Sequence, residues 1–242
     1  MSKFTLVINA GGESRRMGQS KALLPILNTD GRPRSLIAHI AERLRPLSPE
    51  RLVVVTNDGA LIEQAQIAEP VEFIHDTYPG MGALGGIATA LEAVDEWAIL
   101  VACDMPLVNR QIFELMCEMV PSTTSLDTGD RVREGIREGV RVRAESAIAP
   151  KMADHVDVIV PMVDGYAQTL HALYHRRCLP TIGEQLAAEE RKITRFFSKV
   201  SVRKVTEDEI RPLDPEFRSF MNANTPEEWA WTLQYLDDGN GP

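Results

Sequence analysis

Short apolar runs alternate along this chain with longer stretches in which apolar positions recur every three or four residues. Phe4-Thr5-Leu6-Val7-Ile8, Leu52-Val53-Val54-Val55, Val71-Glu72-Phe73-Ile74 and Ala98-Ile99-Leu100-Val101-Ala102 are rich in β-branched and aromatic residues and predict buried strands. Between them, Leu36, Ile37, Ile40, Ala41, Leu44 and Leu47 keep helical spacing. Ile87, Ala88, Leu91 and Val94 do the same in a helix entered through Gly85-Gly86. Asn109 is placed to cap a helix carrying Ile112, Phe113, Met116 and Met119. Strand and helix in alternation predict an α/β fold: three layers, with a mostly parallel sheet covered on both faces. In such sheets ligands bind beyond the carboxyl ends of the strands, and the unusual residues of this chain stand just after strands.

The pattern breaks over residues 121–150. Pro121-Ser122-Thr123-Thr124 opens a polar stretch, and two Arg-Glu-Gly units follow within Arg131–Arg143. This segment reads as an insertion in a single domain spanning 1–242, either a solvated hairpin or loop, or a lid or partner surface. Beyond it, Val156–Val160 predicts a strand, and the spacing of Leu170, Leu173, Tyr174 and Cys178 predicts a helix. A further helix is expected over 182–190 and a strand with one wet face over 200–205. Thr225-Pro226-Glu227-Glu228 has the form of a helix start, with Thr at the cap, Pro in the first helical position and Glu in the third. The last helix then carries Trp229, Leu233 and Leu236.

Composition narrows the classes of function. The 242 residues are 44% hydrophobic and 25% charged, as in ordinary globular proteins. The net charge of −9 argues against nucleic acid as a main partner, since that role needs a basic face. The apolar stretch after Met1-Ser2-Lys3 is too short for a signal peptide or a membrane span. Cys103, Cys117 and Cys178 form no CxxC pair, so neither a zinc site nor a disulfide framework is suggested. The expected setting is the cytoplasm.

Four segments carry candidate chemistry. In Asn9-Ala10-Gly11-Gly12-Glu13-Ser14-Arg15-Arg16-Met17-Gly18-Gln19-Ser20-Lys21, two glycines either make a tight turn or bring backbone N–H groups close to a ligand. With Arg16 and Lys21 following, an anion site is the better reading. The segment is neither a P-loop nor a GxGxxG turn. Asp104, in Cys103-Asp104-Met105-Pro106 at a strand's end, either caps a turn or holds a hard cation such as magnesium. Cys103 reads as packing. Asp76 opens a glycine-rich stretch through Gly86, either a plain connection or a helix start offering N–H groups to a ligand. Asn222 and Asn224 either support the last helix cap or orient a polar ligand. His171 and His175 are four apart but lack a third ligand, so packing is preferred over metal binding.

Taken in order, AGG-ESRRMG-QSK, HD-TYPGMGALGG, ACDMP and NANTPEEW resemble the molybdenum cofactor guanylyltransferase (MobA) family over most of 4–120 and 156–236. The resemblance implies a Rossmann-like, glycosyltransferase-A-like nucleotidyltransferase fold. It implies transfer of GMP from GTP to the phosphate of the molybdenum–pterin cofactor with release of pyrophosphate. By motif, Asn9, Ala10, Gly11 and Gly12 line the nucleotide, Lys21 and Arg16 meet its phosphates, and Thr56 and Asp76 contact it. Asp104 falls on the ligand of Mg2+, and Asn222 and Asn224 fall near the pterin side. Transient contacts with cofactor-synthesis or molybdoenzyme proteins would follow. The AGG form favours guanine over cytosine. Two departures stand out: Asn9 replaces an apolar residue of the family, and Thr56 replaces an asparagine, with Asn57 following. A cytidylyltransferase, a transferase with another phosphorylated acceptor, and a nucleotide-binding regulatory module are the competing readings.

Overall fold

The structure is a computed structural model that describes residues 3–11, 20–27, 31–121 and 155–237. Gly12, Arg16 and all but the first residue of the 121–150 insertion lie outside the described residues.

The first half builds a parallel sheet from β1 (Phe4–Asn9), β4 (Arg51–Val55), β5 (Glu72–Ile74) and β6 (Trp97–Ala102). β1 lies between β4 and β6 and pairs with both in parallel, while β5 pairs with β4. Crossovers between these strands carry α1 (Leu36–Leu44), α2 (Gly59–Gln64) and α3 (Gly82–Ala93); α4 (Arg110–Glu118) follows β6. The second half adds β7 (Val158–Val163), β8 (Tyr166–Ala167), β9 (His171–His175), α5 (Leu179–Ala187), β10 (Val202–Val205), the short α6 (Glu207–Ile210) and α7 (Pro226–Asp237). The full order is β10-β7-β9-β6-β1-β4-β5, with β8 paired to β7. β9 is antiparallel to both its neighbours, so it alone runs against the other strands of this order. A separate antiparallel hairpin, β2 (Pro25–Leu27) with β3 (Pro33–Ser35), was not anticipated from the apolar pattern.

Strand alternation sorts the core into two layers. Leu6 and Ile8 of β1 pack with Leu36, Ile37 and Ile40 of α1, with Ile112 and Phe113 of α4, and with Trp229 of α7. Val7 points to the other face, against Leu84, Ile87 and Leu91 of α3 and Ile182 of α5. This is the expected three-layer arrangement.

One expected element is wrong. Residues 171–175 form a strand, not a helix, and all five are buried. A central strand is covered on both faces, so its apolar residues need not alternate, and the chance spacing of Leu170, Leu173, Tyr174 and Cys178 imitates a helix. Several boundaries also move: the helix expected over 182–190 spans Leu179–Ala187, and the strand expected over 200–205 spans Val202–Val205. α1 stops at Leu44 because Pro46 turns the chain into a single 3-10 turn, and the strand expected over 156–160 begins two residues later. The Thr225–Glu228 start is as expected: Glu228 N–H donates to Thr225 Oγ1 at 3.2 Å, and Thr225 N–H donates to Glu228 Oε2 at 3.1 Å.

Candidate active site

A cleft of about 450 Å³ opens beyond the carboxyl ends of β1 and β6. Its lining includes Asn9, Gly11, Lys21, Asp76, Gly86 and Asp104. The topology places it there: β1 and β6 are adjacent and parallel, so the residues following each emerge side by side. Cys103 N–H donates to the Asn9 carbonyl at 3.1 Å, which ties the two turns together.

One wall comes from β1, the segment after β5, and α3. Asp76 is held in a web of its own side-chain contacts. Its N–H donates to Asn57 Oδ1 at 3.0 Å, and its Oδ1 accepts from Tyr78 N–H at 2.9 Å and from Thr89 Oγ1 at 3.1 Å. Tyr78 in turn donates from its hydroxyl to Glu92 at 2.6 Å. Gly82 has φ +63°, a conformation open mainly to glycine, and there the chain turns into α3. Gly86 is a glycine for a different reason. A Cβ there would lie 2.4 Å from Asn9 Nδ2, so the Asn9 side chain occupies the space a larger residue would need.

The opposite wall carries charge. Asp104 sits in a loop braced from several sides. His39 of α1 donates from Nε2 to the Pro106 carbonyl at 3.1 Å, and Arg43 Nε donates to Val108 O at 2.9 Å. Ala223 N–H donates to the Asp104 carbonyl at 2.9 Å, and Asn109 caps α4 through Gln111 N–H at 2.8 Å. Burial pushes the Asp104 carboxyl above its ordinary value, and the nearby Lys21 ammonium pulls it back. Lys21 Nζ donates to Asn224 Oδ1 at 2.5 Å, which draws the start of the last helix to the rim of the cleft. Burial likewise pushes the Cys103 thiol up to about 12, so it stays protonated at neutral pH and acts as packing rather than as a nucleophile.

The structure thus brings together Asn9, Gly11, Lys21, Asp76 and Asp104, with Asn224 at the rim. Ala10 is buried, its N–H donating to Val55 O. Thr56 does not line this cleft: it is fully buried, and its Oγ1 accepts from Asp58 N–H. Asn222 is exposed. Sequence reasoning missed Leu170, which lines the cleft from the segment misread as helix, and the bracing residues His39, Arg43 and Thr89. Only Asn57, directly after the strand and beside Thr56, carried a visible signal.

The donor set suits a hard cation shared with a substrate. Among the described residues no group of three or more His, Cys, Asp and Glu side chains is placed to hold a metal ion by itself. Asp104 presents one desolvated carboxylate beside a lysine, which matches magnesium's habit of taking one or two carboxylates with substrate phosphates and water. Among the described residues, His171 and His175 join no third side chain that could complete a metal site. His171 is fully buried, stacked on Phe113 at 4.3 Å and near Phe220 at 4.8 Å, and His175 packs edge-on to Trp97.

The pattern of the MobA-like NTP transferase domain matches residues 6–205. The chain belongs to the MobA-like NTP transferase family. It is a nucleotidyltransferase. It is 29% identical over 235 residues to a probable molybdenum cofactor guanylyltransferase of Carboxydothermus hydrogenoformans, with 97% of each chain covered. It is 27% identical to the molybdenum cofactor guanylyltransferase of Syntrophotalea carbinolica, over 94% of this chain and 90% of that one. Among solved structures, molybdopterin-guanine dinucleotide biosynthesis protein A of Archaeoglobus fulgidus superposes with a TM-score of 0.67 at 21% identity, over 97% of this chain and 99% of that one, and shares its fold. No helix among the described residues is long and apolar enough to cross a membrane.

Proposed function

We propose that this MobA-like transferase moves GMP from GTP onto the phosphate of the molybdenum–pterin cofactor and releases pyrophosphate, in the cytoplasm. The observation that carries the reading is the cleft itself. Lys21 and Asp104 share one wall of a site whose other wall is Asn9, Gly11 and Asp76, in a chain whose relatives are named for this transfer.

In the proposed reaction an oxygen of the acceptor phosphate forms a bond to the α-phosphorus of GTP, and the bond from that phosphorus to the bridging oxygen of pyrophosphate breaks. The attacking oxygen is already ionised at neutral pH, so no general base is required. The barrier lies in bringing two anions together in line, which makes positioning and charge compensation the main task. Lys21 offsets charge on the triphosphate, and Arg16 of the same motif would do so too. Asp104 would hold Mg2+, which when bound neutralises charge on the phosphate oxygens. Asp76, with Asn9, Ala10, Gly11 and Gly12 of the first motif, would hold the nucleoside. Asn224, reached through Lys21, and Asn222 face the acceptor.

The test is pyrophosphate release from GTP, CTP, ATP and UTP with magnesium, with and without the molybdenum–pterin cofactor. GTP-selective release that depends on the cofactor is expected. Equal release with CTP overturns the guanine assignment, and GTP-dependent release without the cofactor overturns the acceptor.

A further inference from the structure

Asn9 ends a strand whose other positions are, apart from Thr5, apolar, and it is half-buried at the floor of the cleft. Its side chain lies on the α3 side of the sheet, in the same phase as Val7. Two contacts fix how its carboxamide is turned. Oδ1 accepts from Gly11 N–H at 3.2 Å, and only the oxygen can face an N–H donor. Nδ2 must then point away from Gly11, and it lies over Gly86. The orientation of the amide is therefore set by the backbone of its own turn, and the absence of a side chain at Gly86 makes room for it.

Asp76 stands next to it. A Cβ at Gly11 would be 3.3 Å from Asn9 Oδ1 and 3.9 Å from Asp76 Oδ2, so the two side chains flank the same glycine. Asp76 Oδ1 is taken by Tyr78 and Thr89, which leaves Oδ2 as the oxygen turned to Gly11 and the cleft. The floor thus presents an N–H donor and a carboxylate acceptor within one small area. That pair is complementary to a base edge bearing a carbonyl oxygen beside ring and exocyclic N–H groups.

We infer that Asn9 is a specificity-determining residue, its side-chain Nδ2 donating to the carbonyl oxygen of the base of the bound nucleotide while Asp76 accepts from the N–H groups beside it. The inference rests on the guanylyl-transfer reading and names the contact by which this chain selects its nucleotide. An apolar residue at position 9 fills the same space without a donor. Discrimination at the carbonyl is then a property of this chain's own asparagine.

The test is binding of GTP, 6-thio-GTP and 2′-deoxy-GTP with magnesium, measured by calorimetry on the full chain and on Asn9→Leu. 6-Thio-GTP keeps the N–H groups and replaces the carbonyl oxygen with a weak acceptor. The unchanged chain should bind GTP about tenfold more tightly than 6-thio-GTP, and Asn9→Leu should bind the two alike, having lost about tenfold for GTP alone. Its preference for GTP over 2′-deoxy-GTP should stay as it was. Equal binding of GTP and 6-thio-GTP by the unchanged chain overturns the inference without any variant, as does an Asn9→Leu chain that still separates them. Loss of the 2′-deoxy preference instead would place Asn9 on the ribose and also overturn it. An unchanged chain that binds CTP or ATP but no GTP removes the guanylyl reading and the inference together. Asn9→Asp keeps the acceptor for Gly11 N–H and serves where the leucine variant does not fold; it should bind 6-thio-GTP at least as well as GTP.

Discussion

The two walls of the cleft are built in different ways. On the Asp76 side the functional side chains are themselves held: the Asp76 carboxylate accepts from Tyr78 N–H and Thr89 Oγ1, Asn57 accepts from Asp76 N–H, and Asn9 is fixed by its own turn. On the Asp104 side the backbone is braced by His39, Arg43 and Ala223, while the charged ends of Asp104 and Lys21 face the cleft. The first arrangement suits recognition, which needs donors and acceptors at fixed places. The second suits transfer, which needs charge held near a path along which atoms move. Separating recognition from transfer in this way predicts that substitutions on one wall change affinity and those on the other change turnover.

The largest expected effect is on the charged wall. Asp104→Ala should lower turnover by about 10³-fold, a loss of several kcal/mol, while GTP affinity measured without magnesium stays near that of the parent. Unchanged turnover and magnesium dependence would remove Asp104 from the transfer wall. Lys21→Ala removes a charge-assisted contact of ~1.5–3 kcal/mol, so kcat/KM should fall about 10- to 150-fold. Kinetics equal to those of the parent would remove the Lys21 ammonium from the transfer wall.

The support behind the charged wall should answer to pH. Burial lowers His171 to about 3, and burial with the charges of Arg34 and Arg43 lowers His39 to about 3. Below the ordinary histidine value of 6.5 the unfolded chain binds protons that the folded chain excludes. Stability from these groups is complete above that value and is lost as pH falls toward 3. At pH 5 each contributes a loss of about 2 kcal/mol. His171→Leu should therefore flatten the fall of the urea midpoint between pH 7 and pH 5. It should also be neutral or stabilising at pH 7, because neither ring nitrogen of His171 has a partner among the described residues. A midpoint that falls as steeply in the variant would contradict this.

The recognition wall can be disturbed without replacing any of its polar side chains. Gly86→Ala should push Asn9 aside and weaken GTP binding several-fold at unchanged kcat. Gly183→Ala is the matching control in α5. A Cβ there meets nothing within 4 Å, so thermal unfolding should show a gain of about 0.5–1 kcal/mol and nucleotide binding no change.

The sheet could be read from the sequence wherever a strand was flanked by helices that announced themselves. β1, β4 and β6 are mainly apolar runs of the right length, and α1 and α4 carry a strong one-sided apolar face. β9 was illegible for the same reason that it is central: buried on both faces, it has no polar alternation to betray its period. The β2–β3 hairpin is too short and too exposed to leave a pattern. At the site, Asp104, Lys21 and Asp76 were legible because glycine, charge and strand ends coincide there. The contacts that aim them were not. Asn57 with Asp76, His39 with Pro106 and Thr89 with Asp76 join residues 13 to 67 positions apart, and nothing local marks such pairs.

The reversed direction of β9 also has a consequence for synthesis. β6 is paired on one side by β1, but its other side is filled only when His171–His175 arrives, about 70 residues later in the chain. At ~5–20 residues per second, a nascent chain on the ribosome would carry an uncovered, fully apolar strand edge for roughly 4–14 s. β8 and β9 both pair with β7, and the arrival of β9 closes the open side of β6. The interval before that closure is when the chain is most exposed to pairing with a neighbour on the same message, and a slow codon between residues 103 and 170 would lengthen it.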